Sequence, residues 1–192
     1  MSSNDKFTGS GKENGEQIWP DGSKYIGEFF DGLPNGQGTY SDDAVALGHR
    51  RLSIFDLTKA GNQPMVSPDK NYVITFNGEI YNWPEIRKKL KNKNWVSQTD
   101  TETILHAYIE HGSNCLKLFN GMFAFAIWDK KKRVMFLARD RIGIKPLYFG
   151  YNEGRFYFAS EIKALFSANY PQKPNYSVIS DFLQWGLIDH SD

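Results

Sequence analysis

Apolar positions along this chain follow two periods, and each period marks its own kind of element. Short apolar or alternating runs rich in Val, Ile, Phe and Tyr fall at Asn71 to Phe76, Met122 to Trp128, Val134 to Ala138, Leu147 to Phe149 and Phe156 to Ala159. Runs of that length and composition predict strands. Ala44 to Leu47 and Arg51 to Phe55 read the same way. Helical spacing governs Trp83 to Lys91, with Pro84 in the first turn, and Thr99 to His111. In the second stretch Thr99 and Glu102 form a T-x-x-E capping box, and Ile104, Leu105 and Tyr108 share one face. Gly112 stops that helix, and Cys115 to Phe119 predicts a further helical turn. Asn77-Gly78 reads as a tight turn, with the chain returning through Ile80 and Tyr81. Asp129 to Lys132 and Asn152 to Gly154 read as connections between strands. Glu161 to Phe166 predicts a short helix, and Tyr176 to Leu183 a last amphipathic piece. Tight connections make neighbouring strands antiparallel. Helices interleaved with hairpins predict an α+β fold of layered antiparallel sheets with helices outside.

Texture changes near residue 40. Trp19 to Tyr40 (W-P-D-G-S-K-Y-I-G-E-F-F-D-G-L-P-N-G-Q-G-T-Y) predicts short strands broken by turns at Asp21-Gly22 and Asp31-Gly32. Asn14-Gly15 through Trp19 maps onto Asn35-Gly36 through Tyr40 at a spacing of 21. This segment resembles MORN repeats, arrays of short hairpins with aromatics stacked between them. With about one and a half repeats it does not bury a continuous core alone, so it is expected to lean on its neighbour. Three regions follow: a MORN-like hairpin segment over 1–40, a main domain over 41–167, and a linker beginning at 168 in a polar stretch with Pro171 and Pro174.

Composition narrows the function classes. The balance of 23 Lys+Arg against 22 Asp+Glu, a net charge of +1, gives no electrostatic case for nucleic acid or an anionic membrane. Met122 to Trp128 is too short to span a bilayer, which needs roughly 20 residues, and the opening M-S-S-N-D-K lacks the apolar core of a signal peptide. One cysteine excludes an intrachain disulfide framework and a Cys-rich metal site. His49, His106, His111 and His190 show no metal-ligand spacing, so no metal is expected. A reducing cytoplasm is the expected compartment.

Four phrases carry the candidate chemistry: L-G-H-R-R-L-S-I (Leu47 to Ile54), F-N-G-E-I-Y-N (Phe76 to Asn82), T-D-T-E (Thr99 to Glu102) and G-M-F-A-F-A-I-W-D (Gly121 to Asp129). Between them they offer a guanidinium for a carboxylate, two acids for an ammonium, and an Asn-Gly pair able to present two N–H donors. The stretch from about Asp43 to Leu165 resembles the glutaminase half of a glutamine-hydrolysing asparagine synthetase, a class II glutamine amidotransferase. That resemblance implies an N-terminal-nucleophile fold, an α/β/β/α sandwich of antiparallel sheets. It implies glutamine as ligand, with Arg51 as carboxylate clamp, Asn77 (side-chain amide) and Gly78 (backbone N–H) as oxyanion donors, and Glu79 and Asp100 holding the substrate ammonium. A solvated charge at Glu79 and a first-turn helix acid at Asp100 are the plainer readings of those two residues. Arg50, one position from Arg51, is given a structural role. Arg139, Asp140, Arg141 and Lys145, in A-R-D-R-I-G-I-K-P-L-Y, also match a family signature. They read as an ion-pair network closing the sheet end, with Gly143 permitting the turn.

The resemblance fails at its start. The family opens Met-Cys-Gly-Ile on an inner strand, and the cysteine, with a free α-amino group as base, is the nucleophile. Here Ser2 follows Met1, and Ser3-Asn4-Asp5 is polar. Gly32 to Gly38 stands where R-G-P-D-x-x-G belongs, keeping Pro34 and Gly38 but no Arg or Asp. Ser2 lacks a strand to deliver it, and the flanking Leu116, Leu118 and Phe119 predict a buried, inert Cys115. The chain is therefore expected to bind glutamine without turnover. ATP and Mg would belong to a synthetase domain that carries an S-G-G-x-D-S loop, and no such loop occurs here. A synthetase domain or a second copy of the chain are the expected partners. A non-catalytic amino-acid-binding module and a MORN-type interaction protein are the alternatives.

Overall fold

A computed structural model describes residues 12–30, 33–50, 61–91 and 94–186. The chain divides into two compact units, one through Pro146 and one from Leu147. The first holds two antiparallel four-stranded sheets. In one, β1 (Lys12–Ile18), β2 (Lys24–Phe30), β3 (Leu33–Ser41) and β4 (Ala46–His49) follow in sequence order. In the other, β5 (Met65–Val66), β6 (Tyr72–Ile80), β7 (Gly121–Asp129) and β8 (Val134–Arg139) do the same. Between β6 and β7 lie α1 (Trp83–Lys89), α2 (Asp100–His111) and a 3-10 turn over Gly112–Leu118.

Alternation buries both faces of β7, and on β6 one face fully and the other in part. Ile74, Phe76 and Ile80 pack with Phe123, Phe125 and Ile127 against Ile86, Ile104, Leu105 and Tyr108 of the helices. On the opposite face Val73 is fully buried, and Trp128 is buried with its indole N–H donating to Asp42 at 2.8 Å. His49 Nδ1 lies 3.2 Å from Thr75 Oγ1 on that same face. Helices therefore cover one side of the second sheet, and the first sheet meets its other side.

The expected helices are found, and the α2 start is capped by Thr99, whose hydroxyl accepts the Glu102 N–H. The expected turn at Asn77-Gly78 is corrected: β6 runs straight through both residues, in unbroken register from Tyr72↔Asp129 to Ile80↔Gly121. The glycine serves a close approach of backbones instead of a reversal. Its φ is +150°, and a Cβ there would lie 2.2 Å from the Met122 carbonyl oxygen. Gly121, two residues along in register, is the mirror case, 2.1 Å from the Glu79 oxygen.

The hairpin of β1 and β2 turns at Asp21-Gly22, with Gly22 at φ +81°. Trp19 and Tyr40, equivalent in the 21-residue spacing, lie with ring centroids 6.0 Å apart. This sheet does lean on its neighbour: Lys130 Nζ reaches Asp21 at 2.9 Å, and Arg133 reaches Asp43 at 3.2 Å. The Asp31-Gly32 turn and the expected strand at Arg51 to Phe55 lie outside the described residues.

In the second unit β9 (Tyr148–Asn152) and β10 (Arg155–Ala159) form a hairpin, followed by α3 (Ile162–Ser167) and α4 (Tyr176–Trp185). Tyr170 closes this piece, its hydroxyl against Gly150 and its ring edge-on to Tyr157 at 5.5 Å. Asn175 caps α4 by accepting the Val178 N–H, and Gly186 ends it in the left-handed region.

Gly121→Ala forces β6 and β7 apart where they pass closest. The expected cost is about 3 kcal/mol, read as a lower urea midpoint with an unchanged slope.

Candidate functional site

The helix α2 begins on a buried polar knot. Arg87, from α1, is 8% exposed. Its Nη1 donates to Ser97 O, Nη2 to Thr99 O and Nε to Thr103 Oγ1, at 2.7–2.8 Å. Nη2 also lies 3.3 Å from Glu102 Oε2. The guanidinium is flanked by the rings of Trp83 and Trp95, at 4.7 and 4.2 Å. Glu102 accepts the Val96 and Ser97 N–H groups and the Ser97 hydroxyl. Half of the capping box is thus formed as expected, by Thr99. Glu102 turns away to the preceding loop and the cation.

That knot fixes the direction of Asp100, the next residue after the cap. Asp100 is 9% exposed, and its Oδ2 accepts the Ile80 N–H at 2.9 Å. Burial raises its carboxyl above the ordinary 3.8, against the pull of N–H groups from Ile80, Thr101 and Asp100 itself; the charge of Glu79 adds to the rise. Glu79 and Asn77 share the face of β6 that carries Thr75, since side chains two apart point the same way.

A third group completes this edge. β5 pairs only with Val73 and Ile74, so among the described residues no strand lies beside β6 from Phe76 onward on that side. Gln63 fills in: Oε1 accepts the Phe76 N–H at 2.6 Å, and Nε2 donates to Thr101 Oγ1 at 3.2 Å. Tyr81 N donates to Asn120 O and Lys130 N to Asn71 O, so the odd-numbered amides of β6 face β7. By alternation the Gly78 N–H turns to the open edge, between the amides held by Gln63 and by Asp100.

Asn77, Gly78 and Glu79 thus lie at the end of β6, and Asp100, at the start of α2, is joined to that end through Ile80 and feels the charge of Glu79. Arg51 lies outside the described residues; His49, two positions earlier in sequence, touches the Thr75 face. Arg50 is exposed. Ser2 also lies outside the described residues, and Cys115 is fully buried, its thiol pushed up to about 12 by that burial. The expected ion-pair network at Arg139 to Lys145 is corrected to side-chain-to-backbone bonds. Asp140 accepts N–H groups from Phe123, Ile142, Ile144 and Lys145, with Lys145 first among the bonds that hold its carboxyl down at about 2. Arg139 donates to the carbonyls of Gly143 and Lys145. Gly143 sits at φ +71°, as a turn there requires. Gln63 and Arg87 gave no signal in the pattern. Their partners lie 10 to 38 positions away, where no periodic pattern records them.

Comparison with known sequences decides the family. A family model described as a glutamine amidotransferase domain matches residues 24–191. The chain belongs to the glutamine amidotransferase domain family. Its relatives include "Asparagine synthetase [glutamine-hydrolyzing] 3" of Bacillus subtilis, 40% identical over 136 residues, covering 69% of this chain and 22% of the relative. "Putative asparagine synthetase [glutamine-hydrolyzing] 2" of Methanocaldococcus jannaschii is 38% identical over 166 residues, covering 78% and 32%. "Asparagine synthetase [glutamine-hydrolyzing] 2" of Arabidopsis thaliana is 43% identical over 133 residues, covering 69% and 23%. The match therefore spans only about a quarter to a third of these relatives' length. It is an amidotransferase domain match, and it begins within the hairpin, at the first residue of β2. None of the described helices is long and apolar enough to cross a membrane.

Two outcomes follow from the knot and the carboxylate beside it. Arg87→Met leaves Glu102 buried without its cation and frees two carbonyls; the expected loss is about 3–5 kcal/mol in urea unfolding. For Asp100 the folded chain binds the proton more tightly than the unfolded chain does. The stability this contributes is complete below pH 3.8 and is lost as pH rises through the raised folded value. Asp100→Asn keeps an acceptor for Ile80 and carries no charge. It is expected to melt above the parent chain at pH 7 and level with it near pH 3 in calorimetric scans. A lower melting point at pH 7 would remove burial as the governing cost.

Proposed function

We propose that this chain is the glutamine-binding part of an asparagine-synthetase-type amidotransferase. In this reading the pocket takes a free amino acid by its backbone groups. Arg51 forks onto the α-carboxylate. Glu79 and Asp100 take the ammonium. The Asn77 amide and the Gly78 N–H meet the side-chain carbonyl, where an oxyanion would develop. The observation that carries the reading is the Asp100 to Ile80 bond, which ties the proposed ammonium acid to the same strand edge as Gly78. The names of the relatives, which state glutamine hydrolysis and asparagine synthesis, support the choice of ligand.

These 192 residues contain one cysteine, Cys115, and it is buried. As it stands the chain binds glutamine and does not turn it over. In this reading the domain takes the N-terminal-nucleophile α/β/β/α form, divided as 1–40, 41–167 and 168–192. The acceptor chemistry, with ATP and Mg, belongs to a synthetase domain acting in the reducing cytoplasm, and that domain or a second copy of the chain is its partner. The MORN-like reading of the first segment draws on the row of paired glycines Gly15, Gly27 and Gly38 and on the Trp19–Tyr40 contact.

Titration calorimetry with glutamine tests the binding. The expected result is saturable binding by the parent chain, weakened about 30-fold or more in both Asp100→Ala and Arg51→Ala, as loss of a desolvated charge partner requires. Ammonia release from glutamine is expected to stay at the blank rate. Binding that ignores both substitutions, or steady ammonia release, would overturn this reading.

A further inference from the structure

Gln63 is a buried carboxamide, 6% exposed, that no part of the proposed glutamine contacts uses. Both of its polar ends are committed. The carbonyl takes the Phe76 N–H, and the amide nitrogen reaches Thr101 at the first turn of α2. Phe76 and Ile80 bracket Gly78 on the same strand edge, and their amides are held by Gln63 and by Asp100. Gly78 lacks a side chain, and its φ of +150° lies outside the range other residues hold. The direction of its N–H is therefore set by what pins its neighbours. On the far side β7 pins them in unbroken register. On the near side, among the described residues, no strand lies beside β6 past Ile74, and these two side chains hold the edge.

We infer that Gln63 is a positioning residue for the oxyanion-donor pair, acting through Phe76 on the direction of the Gly78 N–H and so on the recognition of a ligand's side-chain carbonyl. The inference rests on the glutamine-binding reading above. Gln63 touches no ligand in this account. It sets how well the pocket distinguishes an amino acid with a terminal carbonyl from one without. Loss of the Gln63 acceptor leaves the Phe76 amide unpaired at a buried position and the strand edge free to shift toward it. Any change this causes at Asp100, which bonds to Ile80 on the same edge, bears on the backbone groups of every amino acid alike, so the preference between two ligands isolates the Gly78 N–H.

Paired titrations of the full chain with glutamine and with norleucine test this. Norleucine has the same length of side chain but no carbonyl. The parent chain is expected to prefer glutamine by about 10-fold, as a well-directed hydrogen bond to a carbonyl supplies. In Gln63→Leu that preference falls to about 2-fold while norleucine binding stays at the parent level. Gln63→Glu retains an acceptor for Phe76 and keeps most of the preference. A residue that only holds the fold together would lower both affinities alike, and that outcome overturns the inference. So does a Gln63→Leu variant with its preference intact, or a Gln63→Glu variant that loses it as fully as leucine does. Should Gln63→Leu not fold, Thr101→Val, which frees the amide end, carries the same comparison. A severalfold fall in preference supports the inference, and an unchanged one overturns it. A parent chain that binds neither ligand overturns the pocket reading and this inference with it; failure in the variants alone overturns only the inference.

Discussion

The Arg87 guanidinium, buried among the carbonyls of Ser97 and Thr99, the Thr103 hydroxyl and the Glu102 carboxylate, is the interaction on which the candidate site depends. A helix start leaves N–H groups without intrahelical partners and needs them answered. Here Thr99 answers one at the cap, and Arg87 locks the preceding turn by its carbonyls. The first helical residue, Asp100, then has one direction to point. Removing the cation would leave the carboxylate of Glu102 among backbone donors with no counter-charge, in a place where water is scarce. The rings of Trp83 and Trp95 both lie against this guanidinium.

From that fixed start, geometry passes to β6 by single hydrogen bonds. Asp100 reaches Ile80 and Gln63 reaches Phe76, on the stretch of β6 that lies beyond the two-residue β5. Sheet edges are ordinarily places where backbone groups are left open. Here two side chains close part of one, leaving the Gly78 amide between them. The close passage of β6 and β7 at Gly78 and Gly121 holds the same strand from the other side. Site and scaffold are one set of constraints in this region.

Much of this was legible along the chain, and the failures have definite causes. The strands, the α2 cap and its stop at Gly112 follow from local chemistry, which sequence records. Asn77-Gly78 was misread because its turn propensity is local, whereas nine consecutive pairings with β7 override it. The segment Arg139 to Lys145 carries four charges, and charge suggested ion pairs. In the fold Asp140 finds backbone amides, which are nearer and already aligned by the turn. Gln63 could not be found at all, since a side chain bonded to residues 13 and 38 positions away leaves no periodic trace. Asn77, Gly78 and Glu79 follow one another on β6, and the motif gave no sign of the bond that joins Asp100 to Ile80 of that strand.

The placement of Trp83 and Trp95 around one cation has a spectroscopic consequence. An indole's excited state is polarised by nearby charge, so two of the five tryptophans emit under the field of Arg87. A rearrangement that moves Arg87 at the beginning of α2 alters that field. The molecule thus carries a native optical gauge beside its candidate site, with no label attached.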